Sequence, residues 1–320
     1  MKLEDRKEKL MQFSLERKKS RRKRILKDNL AAYSFLLPYL LIFSIFFIFP
    51  FIYGLIISLF DWSIFSPEDT VFIGFENFRK IWFQDDSIYY LYFWSGLKNT
   101  LTFVIFSIPF LVIVPLFLSI LIDNEPRGFK FFRTILFMPT VLSISSIILV
   151  WRWQLNTNGG FINSLLLQFG FEEIPFLVAQ PWAWISIIVV TIWWTMGTNM
   201  VIFGAGLKNI DRTLYEAASI DGANYAQTFR YITLPSLAPQ MLIVMIMTVL
   251  ASFSIYGQPQ LLTSGGPEFT TTVLMMRIRP LAIGPQSNPG VATAMAVSMG
   301  MIMIVISIVQ AKIIKRRGDA

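Results

Sequence analysis

The side chains best able to do chemistry are gathered in one charged segment, residues 206–236, which separates two long apolar stretches. Its carboxylates are Asp211, Glu216 and Asp221, and three basic side chains accompany them. The sequence has no histidine and no cysteine, which excludes thiolate nucleophiles and the zinc sites built from these residues. The chemistry that this segment offers is therefore docking onto another molecule through polar contacts.

The residues around these charges predict two short helices joined by a turn, since 31 residues without structure would be unusual in a compact domain. Asp211 is a favourable N-cap for the first helix, and Gly222 stands where a left-handed residue commonly ends one. A second helix is expected over about 223–231, and Pro235 is expected to prevent its continuation into the next apolar stretch. One face of each helix is expected to be apolar or small, with Leu214, Ala217 and Ala218 on the first and Tyr225, Phe229 and Ile232 on the second.

Such a hairpin has two interpretations. It could fit a groove of another protein, because alanines on its first helix permit close backbone approach. Alternatively, it could lie on the inner leaflet of a membrane, which favours a broad apolar face opposite lysines and arginines. The segment instead balances three basic against three acidic residues, which favours docking onto a protein.

The elements that flank the hairpin are apolar stretches long enough to cross a bilayer, which takes roughly 20 residues per helix. Hydrophobic residues make up 54% of the 320, and the mean hydropathy is +0.57. We therefore predict an all-α polytopic membrane protein with a six-helix transmembrane domain over 31–313 and cytoplasmic tails at 1–30 and 314–320. The six expected spans are 33–59, 99–122, 134–151, 182–205, 237–256 and 291–311, and the segments 61–96, 152–181 and 258–289 between them are expected to be loops.

Lysine and arginine are divided unevenly between the two ends of these spans. Residues 1–30 and 312–320, together with the segments 123–133 and 206–236, carry 22 of the 28, and the other side carries six. Basic residues concentrate on the cytoplasmic side, so both termini and the hairpin are predicted to be cytoplasmic. The basic run at 17–24 could suggest nucleic acid, but the same rule explains a basic tail before an apolar helix. No nucleic-acid partner is predicted.

The predicted spans lack the groups that would let this chain drive transport by itself. None of the 20 Asp and Glu residues lies in a span, although intramembrane carboxylates usually mark proton or ion pathways. The dipeptide Gly-Lys of a phosphate-binding loop never occurs, so the chain is not expected to hydrolyse ATP. The main alternative is an ion-coupled secondary carrier of a small polar solute, and carbonyl-bound sodium or a passive channel also stays open. A membrane-embedded enzyme would need a nucleophile or metal cluster, and neither a catalytic nor a metal-binding residue is predicted.

The hairpin contains the string Glu216-Ala217-Ala218, Gly222, Ile232 and Leu234-Pro235. This string resembles the coupling-loop signature of the permease subunits of binding-protein-dependent ATP-binding-cassette (ABC) importers. A pure scaffold would not need such a signature. Residues 214–223 are similar to the sugar-importer branch, close to the maltose and glycerol-phosphate permeases of the first-permease type. Segments 74–78 (Gly-Phe-Glu-Asn-Phe) and 261–267 (Leu-Leu-Thr-Ser-Gly-Gly-Pro) agree with this.

The resemblance implies the transmembrane fold of a type I ABC importer in a bacterial or archaeal cytoplasmic (inner) membrane, with the lipid bilayer around it. It also implies a complex with a second permease, commonly a different chain, two ABC ATPase subunits and an extracytoplasmic solute-binding protein that delivers a sugar. ATP and magnesium would bind the partner ATPases, and this chain would bind no cofactor. Glu216 would be the polar anchor on the ATPase and Gly222 would set the turn. The implied ATPase-coupling residues are Glu216, Ala217, Ala218, Asp221, Gly222, Leu234 and Pro235.

The resemblance also implies a substrate path, because sugar contacts in the maltose permease come from the helices that flank the coupling loop. Most residue types at these positions differ from that permease, so its substrate does not carry over. Trp194 could stack on a sugar ring, and hydroxyl groups could hydrogen-bond it. Alternatively, threonine and serine pack helices against each other and Trp194 faces lipid. The positions carried over are Thr191, Trp194, Thr195, Thr198, Thr248, Ala251 and Ser252.

Overall fold

The computed structural model describes residues 33–62, 68, 70–285 and 287–318, with side chains described as far as 312. The predicted tail at 1–30 lies outside the described residues, as do 319–320 of the C-terminal tail. The chain divides into two compact units, residues 1–57 and residues 58–320.

The described part of the first unit is one helix, α1, Tyr33–Ile57, which is long and apolar enough to cross a membrane. A π-helical turn, Ser44–Ile48, interrupts its α-helical hydrogen bonding. It carries no charged residue, and nearly all of its side chains are exposed within the unit. A helix that is apolar all round suits a lipid environment. The first predicted span, 33–59, coincides with it to within two residues.

The second unit begins with a small polar cap beside the start of its first long helix. Its anchor is the fully buried Asn77, which donates from Nδ2 to the carbonyl oxygens of Ser58 at 3.0 Å and Phe60 at 2.9 Å. The segment 61–96, predicted as a polar loop, therefore contains ordered elements. They are β1, Phe60–Asp61, paired antiparallel with β2, Val71–Phe72, and helix α2, Glu76–Trp82.

Helix α3, Ile88–Asp123, is the longest in the described chain at 36 residues. A helix of this length extends about 54 Å, which exceeds the roughly 30 Å hydrocarbon core. It contains the predicted span 99–122 but begins 11 residues earlier. The expected boundary near Lys98 is wrong, because Ser87 caps the helix by accepting a hydrogen bond from the Tyr89 N–H at 3.2 Å.

The third predicted span, 134–151, is not one straight helix. The chain forms α4, Phe129–Phe137, a 3₁₀ turn over Met138–Val141, and α5, Ile144–Gln154, and the two helical segments meet at 102°. Leu142 and Ser143 are extended at the break, with ψ of 149° and 139°. The Ser143 Oγ then caps α5 by accepting from the Ser146 N–H at 3.3 Å.

Helix α6, Phe161–Gln168, lies in the segment predicted as the loop 152–181, and α7, Trp182–Lys208, contains the fourth predicted span. Helix α7 packs along α3 and against the break between α4 and α5. Gly197 permits the second approach, because a Cβ there would lie 2.8 Å from the Cα of Phe137.

The hairpin follows as α8, Arg212–Ile220, and α9, Tyr225–Ser236, and α9 meets α10, Ala238–Phe253, at 69°. The fifth predicted span, 237–256, corresponds to α10. The segment predicted as the loop 258–289 contains two further helices, α11, Gly257–Leu262, and α12, Leu274–Ile283. Helix α13, Pro289–Gly318, contains the sixth predicted span and continues into the predicted tail 314–320.

Four described helices are long and apolar enough to span a membrane, and the two bent pairs bring the number to six. This agrees with the predicted all-α, six-helix fold. In the second unit the buried apolar side chains form three clusters between the helices, with α3 contributing to each. The hairpin packs on one of these clusters, and a cavity lies beside another.

Candidate functional site

The first helix of the hairpin is fixed by a side-chain cap. Asp211 has an extended backbone, and its Oδ1 accepts a hydrogen bond from the Thr213 N–H at 2.9 Å. This bond stabilises the charged carboxylate and lowers the pKa of Asp211 below its ordinary value of 3.8. The N-cap predicted at Asp211 is present, and α8 begins at the next residue.

The turn between the two helices is a Schellman motif centred on Gly222. Its φ is +75°, its N–H donates to the Ser219 carbonyl at 3.2 Å, and the Ala223 N–H donates to the Ala218 carbonyl at 2.9 Å. The left-handed conformation predicted for Gly222 is therefore present. A Cβ added there would meet nothing within 4 Å, so the need for glycine is conformational and not steric.

The second helix begins with a capping box that the sequence analysis did not identify. Asn224 Oδ1 accepts from the Gln227 N–H at 2.9 Å, and Gln227 Oε1 accepts from the Asn224 N–H at 2.8 Å. The signal was the spacing Asn-x-x-Gln directly after the glycine. Both helix starts and the turn are therefore fixed by local hydrogen bonds.

A polar contact joins the two helices of the hairpin, and an apolar face packs the hairpin against the ends of the long helices. The Tyr215 hydroxyl lies 3.1 Å from Thr233 Oγ1, which joins α8 to α9. Tyr215, Phe229 and Ile232 are half-buried and pack on a cluster formed by α3, α7 and α10. The cluster comprises Val112, Leu116, Phe203, Leu207, Ile210, Leu237 and Val244.

Two details of the predicted hairpin are wrong. Tyr225 is 70% exposed and does not share the packed face of Phe229 and Ile232, because it occupies the first position of α9, before the packed turn. Pro235 does not end the helix, because a π-helical turn over Phe229–Thr233 precedes it and Pro235 lies in the first turn of Leu234–Ser236, where no N–H is required. The break comes two residues later, at Leu237.

The hairpin presents an exposed surface that no other described element covers. Of the seven predicted coupling residues, only Ala218 is half-buried and the other six are exposed. Leu214 and Ile220 are 46% and 86% exposed beside them. Apolar side chains exposed next to a carboxylate on a well-fixed turn are typical of a protein-contact surface. The six exposed residues are Glu216, Ala217, Asp221, Gly222, Leu234 and Pro235.

A cavity of about 400 Å³ lies between the middle of α7 and α10, bordered by Phe103 and Leu111 of α3 and Ile144 of α5. All seven residues predicted for the substrate path line it, and its lining contains no Asp, Glu, Lys or Arg. The residues on each helix are spaced by three and four, which places them on one helix face. They are Thr191, Trp194, Thr195 and Thr198 on α7, and Thr248, Ala251 and Ser252 on α10.

Hydrogen bonds within the lining occupy donors of Thr191, Thr195 and Asn199 and leave the side-chain oxygens of these residues able to accept from a ligand. The Thr191 hydroxyl donates to the Ile187 carbonyl at 2.7 Å, and the Thr195 hydroxyl donates to the Thr191 carbonyl at 2.8 Å. Asn199 Nδ2 donates to the Leu111 carbonyl at 3.0 Å and to Thr248 Oγ1 at 3.2 Å. The oxygens of these side chains keep lone pairs, so the cavity suits a ligand rich in O–H donors.

Trp194 has both a structural and a lining role. Its indole Nε1 donates to the Leu142 carbonyl at 3.3 Å, and that carbonyl lies at the break between α4 and α5, where the regular helical bonds are lost. Its ring also lines the cavity. The indole therefore links the position of the broken span to the shape of the cavity.

Four polar lining residues were not predicted from the sequence, Asn199, Ser254, Tyr256 and Gln258. Asn199 lies four residues after Thr195, so the spacing that predicted the other α7 residues would also have identified it. Tyr256 and Gln258 follow the end of α10, where a helix break returns the chain toward the cavity, and no local pattern indicates that return.

A larger cavity of about 740 Å³ lies between the hairpin and the adjacent ends of α3 and α7. Its lining mixes the acidic Asp123 and Glu125 with the basic Lys208 and Arg212. Charges of both signs at an open polar surface suit water, and this space lies beside the packed contact between the hairpin and the helix ends. Among the described residues, no group of three or more Asp and Glu side chains is placed to hold a metal ion.

Comparison with known proteins extends these observations. Residues 89–319 match the profile of the family described as "Binding-protein-dependent transport system inner membrane component". The probable ABC transporter permease protein YesP of Bacillus subtilis (strain 168) is 31% identical over 295 residues, which are 91% of this chain and 92% of YesP. The sulfoquinovosyl glycerol transport system permease protein SmoG of Agrobacterium fabrum is 31% identical over 293 residues, again 91% and 92% of the two chains.

A solved structure shares the fold. It is the crystal structure of a bacterial ABC transporter involved in the import of the acidic polysaccharide alginate. One of its chains superposes with a TM-score of 0.77 and 25% identity, covering 92% of this chain and 99% of that one.

Proposed function

The chain belongs to the family of binding-protein-dependent transport system inner membrane components, the permease subunits of ABC importers, and on this premise we propose that it forms part of the passage for a sugar or oligosaccharide. Membership in this family makes it a transport component of the inner membrane and not itself an enzyme. The proposal also covers the cargo, the partner subunits and the roles of individual residues.

The observation that carries the sugar proposal is the uncharged, acceptor-rich lining of the 400 Å³ cavity, with the Trp194 ring in its wall. Sugars present many O–H donors and apolar ring faces, so hydroxyl and amide oxygens beside an aromatic ring complement them. A cavity in the midst of the spans is where a passing solute would be held. Two similar proteins carry carbohydrate-derived cargo in their names, sulfoquinovosyl glycerol and alginate, which supports the same class here.

Energy for import is proposed to come from two copies of a separate ABC ATPase, which would bind ATP and magnesium. The exposed hairpin surface is the proposed dock, with Glu216 as a polar anchor for a basic group of the ATPase and Gly222 holding the turn. Because the hairpin packs on α3, α7 and α10, a force on it would reach the helices that line the cavity. Transport then requires that ATP and the loaded binding protein favour different states of the passage.

The remaining assembly follows from the same premise. A second permease, in this proposal a different chain, would complete the passage, and an extracytoplasmic solute-binding protein would deliver the sugar. The excess of Lys and Arg on the hairpin side supports a cytoplasmic position for the hairpin and both termini in this proposal.

The test is the complete transporter reconstituted in liposomes with its solute-binding protein. Sugars loaded onto the binding protein should stimulate ATP hydrolysis and enter the liposomes, whereas amino acids and ions should not. Trp194→Ala should lower uptake about 2- to 13-fold, since it removes ring contacts worth roughly 0.5–1.5 kcal/mol. Trp153→Ala is the matched control, because Trp153 is 62% exposed and does not line the cavity. Equal uptake by the two variants, or stimulation by a solute of another class, would contradict the proposal.

A further inference from the structure

Two arginines flank α11, the short helix whose first residues line the cavity. Arg279 Nη1 donates to the Tyr256 hydroxyl, and its guanidinium lies over the Tyr256 ring, 5.2 Å from the centroid. At the other end of the helix, Arg152 Nη1 donates to the Leu261 carbonyl at 3.4 Å. Tyr256 itself lines the cavity, and Arg279 is held against it just outside the lining, a position that we call the rim.

Neither arginine is neutralised within the described part of the chain. The ion pair found there joins Arg79 to Glu76 at 3.4 Å, and no described carboxylate lies within 4.0 Å of Arg152 or Arg279. Both side chains are exposed. Arg279 therefore brings an unpaired positive charge to the rim of an otherwise uncharged cavity, and Arg152 places a second one at the far end of α11.

Most of the N–H donors of Arg279 stay free to bind an anion. A guanidinium has five N–H donors in a planar fork that matches a carboxylate with two parallel bonds. Tyr256 takes one donor and orients the plane by stacking, which leaves the other donors for a ligand.

A nearby arginine, Arg277, shows the contrasting arrangement. Its guanidinium lies between the rings of Tyr92 and Phe269, 4.6 and 5.3 Å from their centroids. Burial there lowers the pKa of Arg277, and its contacts are those of a packed structural residue. Arg279, by contrast, is exposed beside the cavity.

We propose that Arg279, with Arg152 across α11, binds an acidic group of the transported sugar, a carboxylate or a sulfonate, while the uncharged ring of that sugar enters the cavity. The proposal rests on the proposed function of the cavity as a sugar path. Since the lining contains no charged side chain, an acidic sugar needs a neutralising group at the rim. The preferred substrate is therefore an acidic saccharide and not its neutral counterpart.

The experiment compares two probes with the same ring backbone, trigalacturonate and its fully methyl-esterified form, binding to the complete transporter in nanodiscs. Wild type should bind the acid about tenfold more tightly than the ester, the usual scale for one bidentate charged pair. The preference should shrink as salt rises, because the rim is exposed and charges there are screened. Arg279→Gln should reduce the preference to less than about twofold and leave ester binding unchanged, and Arg279→Lys should be intermediate because it keeps the charge without the fork.

Arg79→Gln is the matched control, because it removes one exposed positive charge that is not at the cavity rim and should keep the full preference. Equal binding of the two probes by wild type, or a preference that survives Arg279→Gln, overturns the proposal and leaves the sugar path standing. Failure of both probes to bind overturns the sugar path as well. If Arg279→Gln instead weakens binding of the solute-binding protein and spares the probe preference, the arginine serves protein docking and the proposal is wrong.

Discussion

Replacing Gly222 separates the conformation of the hairpin turn from the chemistry of its surface. A Cβ at this position meets nothing within 4 Å, so alanine or valine introduces no clash. The cost is the left-handed backbone, with φ of +75°, which disfavours a residue with a Cβ by roughly 1–2 kcal/mol. That is about a 5- to 30-fold loss of the native turn relative to other turns. Valine should cost more than alanine because β-branching restricts it further, whereas asparagine tolerates this conformation and should cost little.

The assay is binding of the purified ATPase to the permease pair in nanodiscs, with sugar uptake in liposomes measured in parallel. We expect ATPase affinity to fall about tenfold for Gly222→Ala, more for Gly222→Val, and less than about threefold for Gly222→Asn, with normal membrane insertion in each case. Wild-type affinity in Gly222→Val would refute the requirement for a left-handed turn. An equal loss in Gly222→Asn and Gly222→Val would show that any side chain at this surface blocks docking, whatever its backbone preference.

Two further substitutions test the packing and the cap. Gly197→Val should destabilise the folded protein by about 1–3 kcal/mol, because its Cβ would lie 2.8 Å from the Phe137 Cα. Gly204→Val, where a Cβ meets nothing within 4 Å, should leave the thermal midpoint of the purified transporter unchanged, and equal midpoints for the two variants would contradict the close approach. Because the Thr213 N–H lowers the pKa of Asp211, its capping contribution is present above its ordinary pKa of 3.8 and is lost as pH falls through the lower folded value. The protection of the Thr213 amide against hydrogen exchange should therefore stay constant between about pH 5 and 8. It should fall in Asp211→Ala, which removes the cap, but not in Asp211→Asn, which keeps a capping oxygen. Equal protection in all three proteins would contradict the cap.

The hairpin was predictable because its determinants are local. An N-cap at Asp211 and a left-handed glycine at Gly222 act within one helical turn, and both appear in the structure. The capping box at Asn224 was equally local and could have been found from its spacing. Tyr225 was placed wrongly because periodicity alone does not show which turn of a helix reaches its neighbour.

The break between α4 and α5 was not predictable in the same way. Residues 134–151 are uncharged and mostly apolar, with Pro139 and three serines among them, and hydropathy does not distinguish a bent span from a straight one. The break is supported from outside, by the close approach of Gly197 and by the indole N–H of Trp194 bonded to the Leu142 carbonyl. Such support becomes visible only when α7 is in place.

The cavity was predictable from the sequence only in part. Its residues on α7 and α10 follow helical spacing, but only the family resemblance indicated which face of each helix to choose. Tyr256 and Gln258 return to the cavity after the end of α10, and Arg279 reaches Tyr256 across 23 positions of sequence. Contacts of that kind depend on the folded chain and leave no local pattern.

The exposed hairpin surface is proposed to dock on the ATPase, and a crosslinking measurement tests this contact directly. The chain has no cysteine, so Ala217→Cys gives this subunit a single thiol on that surface. Phe83→Cys supplies the control, since Phe83 is 80% exposed beside α2, near the start of α3 and away from the hairpin. In the assembled transporter, a short thiol-to-amine crosslinker should join the Ala217→Cys subunit to the ATPase and should not join the Phe83→Cys subunit to it. No ATPase adduct from Ala217→Cys in an active transporter, or an equal adduct from Phe83→Cys, would contradict docking of the hairpin on the ATPase.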